Sequence, residues 1–190
     1  MMLQADNTET VDSASLHFPN PTTGSLEQGS RDFHTHYSMK EEIGRGGFGT
    51  IFAAVRHKDG LEVAMREAVK NRKVVMGPAG KPLEVALLLQ VQEMPGVISL
   101  IYYFDGPESF YIVMEKLDGA DLFNFISEMG PLPKAMTKGL FRQLLTTVIG
   151  CHQRGVVHRD IKDKNILLDL NTQADQLRLQ RITGEEQAVS

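Results

Sequence analysis

The chain has 190 residues, of which 42% are hydrophobic and 23% charged, and its 20 basic and 24 acidic residues give a net charge of −4. This composition excludes a collagen-like or wholly disordered protein, and without a basic excess we expect neither a nucleic-acid nor a membrane partner. Cys151 is the single cysteine, so an internal disulfide is excluded and a reducing compartment is favoured.

The N-terminal region is predicted to lie outside the folded part. Residues 1–36 are rich in Ser, Thr, Asn, Gln, Gly and Pro and follow no helical or strand period, which is typical of a disordered tail. A regulatory tail phosphorylated on Ser or Thr is the alternative. Because these residues lack a secretory signal and no apolar stretch reaches the ~20 residues of a membrane span, we expect a soluble, cytoplasmic protein, with the nucleus as a second location.

The first half of the folded region is predicted to be an antiparallel sheet with one helix. Helical spacing of the leucines indicates a helix from Pro82 to about Val91, and Glu84 on it can point toward the sheet. Turns at Lys58–Gly60 and Asp105–Pro107 separate strands. The predicted strands are Tyr37–Ile43, Thr50–Val55, Leu61–Ala68, Val97–Phe104 and Ser109–Leu117.

The second half is predicted to be mainly helical. A short helix over Asp121–Met129 has Asp121 as its N-cap. A longer helix runs over Pro133–Arg154 and is ended by Gly155. Two short strands are expected after it, at Ile166–Leu170 and Gln176–Gln180. The last ten residues, 181–190, are predicted to form a polar tail.

A glycine-rich turn joins the first two predicted strands. It reads Gly44-Arg45-Gly46-Gly47-Phe48-Gly49 and is flanked by Ile43 and by Thr50-Ile51. A dinucleotide-binding fold needs a helix after such a turn, whereas here a strand follows. We therefore expect a flap whose backbone N–H groups face the oxygens of a polyphosphate.

Further motifs follow the glycine-rich turn in a fixed order. They are Val63-Ala64-Met65-Arg66, Glu84 on a helix, Met114-Glu115 at a strand end, and His158-Arg159-Asp160-x-Lys162-x-x-Asn165. This order is typical of protein kinases. Over residues 37–180 the chain resembles the eukaryotic protein kinases, and among them the Pim family of serine/threonine kinases, with Asp121-Leu122-Phe123 and Ile166-Leu167 as further shared residues.

The resemblance implies a fold and an activity. The fold is α+β: a complete kinase small lobe over residues 37–117 and the first part of the helical large lobe, with its catalytic loop, over 118–180. The activity is transfer of the γ-phosphate of ATP, with Mg²⁺, to Ser or Thr of protein substrates. Lys162 in the catalytic loop is the serine/threonine form of this motif.

Roles for single residues follow from the same resemblance. Asp160 would accept the proton of the attacking hydroxyl, Lys162 would steady the transferred phosphoryl group, and Asn165 would bind Mg²⁺ through its amide oxygen. Glu84 would anchor Arg66 on the third strand. The nucleotide would be held by the glycine-rich segment Ile43, Gly44, Arg45, Gly46, Gly47, Phe48, Gly49, Thr50 and Ile51, and by Ala64, Arg66, Met114, Glu115, Leu117, Asp121 and Leu167.

Several of these residues have simpler interpretations. Glu84 alone could be a solvated helix residue, Met114 a core residue, and Asp121 only a helix cap. Asp163 could serve only to shape the catalytic loop, and Cys151 fits a small core residue.

Three departures from the kinase pattern predict weak or absent activity. Arg66 replaces the family lysine, and losing one well-placed charged hydrogen bond costs ~1.5–3 kcal/mol, which is roughly 10–100-fold in rate. The family Asp-Phe-Gly falls on Arg181-Ile182-Thr183, so a cation replaces the metal-binding carboxylate. Only 30 residues follow Asp160, which predicts a truncated domain: a splice form, a partial gene model or a degenerate copy.

The departures also bear on partners. Lys164 occupies a position where Pim kinases carry an acid that favours basic substrates. Without further large-lobe helices, Leu140, Leu144 and Val148 of the helix at 133–154 are expected to be exposed and to suit a partner kinase or a chaperone. The alternative to a weak kinase is therefore a pseudokinase that acts as a binding module.

Overall fold

The computed structural model describes residues 33–46, 49–70, 74–169 and 176–179. Predictions that concern the tail up to residue 32, Gly47, Phe48, or the C-terminal segment with Arg181–Thr183 lie outside these ranges. Within the described ranges no helix is long and apolar enough to cross a membrane.

A five-stranded antiparallel sheet forms the first half. Its spatial order is β1-β2-β3-β5-β4, so β1 and β4 are its two edges. The strands match the predicted ones to within a few residues, because each short apolar run is bounded by a glycine or proline turn. Their bounds are β1 Tyr37–Gly46, β2 Gly49–Arg56, β3 Glu62–Val69, β4 Leu100–Asp105 and β5 Ser109–Glu115.

The helices and a second, smaller sheet complete the described fold. The small sheet has the antiparallel order β6-β7-β8. Two short 3-10 helices cover Pro78–Gly80 and Asp163–Asn165. The remaining elements are α1 Phe33–His36, α2 Leu83–Gln90, α3 Leu122–Met129, α4 Lys134–Gln153, β6 Gly119–Asp121, β7 Ile166–Asp169 and β8 Gln176–Leu179.

The large sheet carries a different apolar cluster on each face. The inner cluster lies on the side of α2 and reaches the large lobe, and its buried members include Val85, Leu88, Ile112, Met114, Cys151 and Val156. The outer cluster lies on the opposite face and includes Phe33, Tyr37, Val63, Met65, Phe104 and Val113. Opposite residues of paired strands share a face, so the partners Ala64 and Met114 mark the inner face and the partners Met65 and Val113 the outer one.

Cys151 lies in the inner cluster, as expected for a small core residue. Its side chain is buried among apolar neighbours, and this burial raises the pKa of its thiol. The thiol is therefore a packing group in this fold.

Two elements differ from the sequence prediction. The sequence predicts that residues 33–36 belong to a disordered tail. This prediction is wrong for these four residues, because they form α1 and bury Phe33 completely. Strand β6 is not predicted, since three residues are too few to show a period. It forms because Gly119, Ala120 and Asp121 pair with Asp169, Leu168 and Leu167.

Candidate nucleotide-binding and phosphoryl-transfer site

The inner face of the large sheet collects the predicted nucleotide residues. Strand pairing places Gly44 opposite Ile51, Ile51 opposite Arg66, and Ala64 opposite Met114. Opposite residues point to the same side of an antiparallel sheet. Four strands therefore direct these five residues to one surface.

The glycine-rich turn connects β1 and β2 as a hairpin. Gly46 pairs with Gly49 across the turn, and the intervening Gly47 and Phe48 lie outside the described residues. Gly49 has φ +134°, and a Cβ there would lie 2.2 Å from the carbonyl oxygen of Glu67. Only glycine fits this position, because the main chain of β3 approaches it too closely for a side chain.

Three residues of the glycine-rich segment do not join the inner face. Arg45 pairs with Thr50, and this pair is next to the pair of Gly44 and Ile51. Because successive side chains of a strand point to opposite faces, Arg45 and Thr50 point to the outer side. Arg45 is held there by a bidentate ion pair with Glu42, at 2.6 and 3.0 Å. Ile43 lies at a register irregularity of β1 and is exposed.

An ion pair between Arg66 on β3 and Glu84 on α2 links the sheet to the helix, as the sequence predicts. The Arg66 side chain is 4% exposed and that of Glu84 16%. A charge that is buried to this degree needs an opposite charge at contact distance. Glu84 is therefore not a solvated helix residue, and the pair fixes α2 against the inner face.

The end of β5 forms the connection to the large lobe. Met114 is buried in the inner cluster, in agreement with its simpler interpretation as a core residue. The Glu115 N–H donates to Ser99 O at 3.0 Å, and the Glu115 carboxylate accepts from Ser99 N at 2.7 Å. Leu117 and Leu167 both pack against the inner cluster. Met114, Leu117 and Leu167, three of the residues predicted to hold the nucleotide, thus meet in one apolar region.

Asp121 has the helix-cap role that the sequence left open. Its carboxylate accepts from the Asn124 backbone N–H at 2.9 Å and from the Asn124 side-chain amide at 2.7 Å. It also lies opposite Leu167 in the β6–β7 pair. A contact of Asp121 with the nucleotide stays a prediction.

The catalytic loop is organised around Asp160. Lys162 Nζ lies 3.0 Å from the Asp160 carboxylate. The Asn165 side-chain amide donates to the Asp160 main-chain oxygen at 2.7 Å and to its carboxylate at 2.9 Å. The three predicted residues are therefore in direct contact, in an arrangement that holds the carboxylate in one orientation.

His158 supports this loop, although the sequence motif alone assigned it no role. Its side chain is buried, and its Nδ1 accepts a hydrogen bond from Asp160 N at 3.2 Å. Arg159, between them, has φ +62°, a left-handed conformation that few side chains adopt. Asp163 shapes the following turn, where its carboxylate accepts from Lys164 N at 2.8 Å.

The donor set fits a magnesium ion that arrives with a nucleotide. The Asn165 amide donates to Asp160 through its nitrogen, so its oxygen is the atom that can ligate a cation. The described residues hold no group of three His, Cys, Asp or Glu suited to a metal. Mg²⁺ commonly takes few protein oxygens and completes its shell with phosphates and water. Asn165 and the Asp160 carboxylate could supply such a partial set.

Strand β7 brings the loop and the inner face together. Leu167 follows Asn165 by two residues and packs against the cluster that contains Met114. The end of the catalytic loop is therefore joined, through Leu167, to the apolar cluster on the face that also carries Ala64 and Arg66. The loop itself supplies a carboxylate, an ammonium group and an amide oxygen.

Known proteins similar to this chain include serine/threonine kinases. The chain is 39% identical over 172 residues to the serine/threonine-protein kinase prk-2 of Caenorhabditis elegans, which is 86% of this chain and 39% of prk-2. It is 34% identical over 160 residues to the serine/threonine-protein kinase pim-2 of Danio rerio, which is 77% of this chain and 52% of pim-2. The chain thus spans about half or less of these relatives.

A solved structure and a family model agree with these similarities. The crystal structure of Rad53 1-466 in complex with AMP-PNP superposes with a TM-score of 0.67 at 25% identity, covering 78% of this chain and 38% of that chain. This confirms the predicted kinase fold. The family model "Protein kinase domain" matches residues 37–180, and the chain therefore belongs to the protein kinase domain family.

Proposed function

We propose that this chain is a Pim-like kinase segment that binds ATP between the inner face and the catalytic loop and transfers phosphate to Ser or Thr of proteins weakly or not at all. The observation that carries the proposal is the contact of Asp160 with Lys162 and Asn165, next to the face with the buried Arg66–Glu84 pair. The Asp160 carboxylate is suited to accept the proton of a hydroxyl nucleophile, and the face with Arg66 is suited to bind a polyphosphate.

Two features support reduced transfer. Arg66 is a planar cation that Glu84 already engages, and arginine does not replace lysine at a tight phosphate site. In the sequence, Arg181 takes the place of the metal-binding carboxylate of the family. Mg²⁺ would supply charge neutralisation at the phosphates when bound. A cytoplasmic or nuclear location stays a prediction.

Calorimetric titration of the full chain with ATP, with Mg²⁺ or with EDTA, tests the binding part. We expect binding in both conditions, with an affinity that Mg²⁺ changes less than about tenfold, or ~1.4 kcal/mol, because the protein offers the metal few oxygens. Ala64→Leu adds bulk to the inner face and should abolish binding, whereas the matched Ala135→Leu on the exposed surface of α4 should not. Equal affinities of these two variants would exclude the inner face as the site.

Transfer is measured separately with radiolabelled ATP and a Ser/Thr peptide. The chain should label the peptide no faster than its Asp160→Asn variant. If the chain labels the peptide much faster than the Asp160→Asn variant, the proposed reduced activity is contradicted, whereas the proposed ATP site is not affected.

A second candidate function is protein binding through α4. The predicted exposure of Leu140 is wrong, because its side chain is buried against Ile166 and Leu168, with Leu144 and Val148 packed beside them. The exposed residues of α4 are instead Phe141, Leu145 and Ile149, which recur at every fourth residue and so lie in one row. Beside this row is an apolar groove of about 300 Å³ between α3, α4 and β7. Lys134, Lys138 and Arg142 lie on the same helix, which has no acidic residue. We therefore propose a partner segment, on a kinase or a chaperone, with apolar and acidic side chains.

An anionic, apolar dye such as anilinonaphthalene sulfonate probes this surface. We expect saturable fluorescence that falls several-fold in Phe141→Ser, because Phe141 belongs to the exposed row and also lines the groove. Met129→Ser, which removes an exposed apolar side chain outside the groove lining, is the matched control. Equal fluorescence from both variants would exclude α4 as a binding surface.

A further inference from the structure

Phe33 is a fully buried ring at the outer face of the large sheet. It stacks on Tyr37 at 5.2 Å between centroids and 6° between planes, and on Tyr111 at 5.2 Å and 20°. It meets Phe104 edge-on at 5.8 Å and 87°. Pairs in these geometries attract beyond the effect of area burial.

The three partner rings come from different strands. Tyr37 begins β1, Phe104 lies on β4 and Tyr111 on β5. Because β1 and β4 are opposite edges of the sheet, the Phe33 ring connects the two edges across the outer face. No strand pairing in this sheet makes that connection.

The main chain next to Phe33 is tied to the β1–β2 hairpin. His57, directly after β2, donates its N–H to His36 O at 2.9 Å, and its Nδ1 lies 3.1 Å from Thr35 O. Its Nε2 lies 2.7 Å from Ser38 Oγ on β1. Residues 33–38 are therefore joined to both strands that carry the glycine-rich turn.

Strand β1 needs such an attachment. As an edge strand it pairs only with β2, and that pairing shifts register between Met39 and Glu42 and again between Glu42 and Gly44. Each shift interrupts the ladder of hydrogen bonds. The pairing is regular at residues 37–39, at the base of the hairpin where α1 is attached, and again at residues 44–46 beside the turn.

We propose that Phe33 is a positioning residue for the nucleotide site: it holds the β1–β2 hairpin against β4 and β5 and thereby sets the position of Gly44 and Ile51 on the inner face. This inference rests on the proposed ATP site. The hairpin carries Gly44 and Ile51, whereas β3 and β5 carry Ala64, Arg66 and Met114. The Phe33 ring connects the hairpin to β5 and so fixes the nucleotide-binding surface before ATP binds. Less conformational entropy is then lost on binding.

Hydrogen–deuterium exchange of the nucleotide-free full chain tests the positioning without any ligand. Phe33→Leu keeps an apolar side chain but loses the stacking, and Phe33→Ala removes the ring. We expect backbone amides of β1 and β2 to exchange at least about tenfold faster in either variant, with β5 less affected, because local opening of the hairpin becomes easier. Unchanged β1 and β2 exchange in Phe33→Leu would overturn the proposal.

ATP affinity then tests the consequence for binding. Leu140→Ala, in the large-lobe cluster with Ile166 and Leu168, is the control for general destabilisation. Under conditions where all variants are folded, we expect about threefold to tenfold weaker ATP binding for Phe33→Leu and a change within twofold for Leu140→Ala. Equal losses in Phe33→Leu and Leu140→Ala would overturn positioning. A wild-type chain that binds no ATP but shows the exchange effect would overturn only the proposed function.

Discussion

Glu84→Ala is expected to lower the free energy of unfolding by about 3–5 kcal/mol, the usual range for removing one partner of a buried ion pair. Arg66 is 4% exposed and Glu84 faces it from α2. The substitution removes the carboxylate but leaves the guanidinium in a site with little access to water. The same change should weaken ATP binding, since the pair fixes α2 against the inner face.

Urea unfolding followed by far-UV circular dichroism measures this loss, because the chain has no tryptophan for a fluorescence signal. Glu62→Ala is the matched control: Glu62 also pairs with a cation, Lys116 at 2.9 Å, but its side chain is 65% exposed. An exposed pair contributes about 0–1 kcal/mol. If both substitutions lower the free energy of unfolding by the same amount, the burial of the Arg66–Glu84 pair has no energetic consequence, and the prediction is contradicted.

Gly119→Ala and Gly139→Ala are expected to change stability in opposite directions. A Cβ at Gly119 would lie 1.7 Å from the carbonyl oxygen of Leu168, a main-chain atom that cannot rotate away. Forcing β6 from β7 should cost about 1–3 kcal/mol, the range for overpacking. At Gly139, inside α4, nothing lies within 4 Å, so alanine should stabilise by about 0.5–1 kcal/mol through lower chain entropy.

Melting temperatures of the two variants, measured side by side, check this pair. The Gly119→Ala variant should melt lower than the wild type and the Gly139→Ala variant higher. Because β6 also sets Asp121 opposite Leu167, Gly119→Ala should in addition weaken ATP binding. A Gly119→Ala variant as stable as the wild type would show that β6 and β7 do not approach this closely.

The sequence alone was sufficient for the elements whose pattern is local. The strands around the glycine-rich turn, the amphipathic α4 and the cap of α3 by Asp121 follow from spacing and turn residues within a few positions of each other. The ordered motifs from Gly44 to Asn165 were also sufficient for the kinase fold, because this order of motifs is typical of protein kinases. The assignment to nucleotide and metal of the individual residues stays a prediction.

The tertiary structure decided which residues meet across long separations in the chain. It separated Arg45 and Thr50 from the inner face through the pairing of β1 with β2. It also decided that the predicted Arg66–Glu84 pair lies where Arg66 has little access to water. The tertiary structure also places Phe33, which comes from a polar segment, in the core, because the Phe33 ring packs among rings of three strands. Periodicity reports the face of one element, whereas burial of a charge or a ring depends on the elements that pack against it.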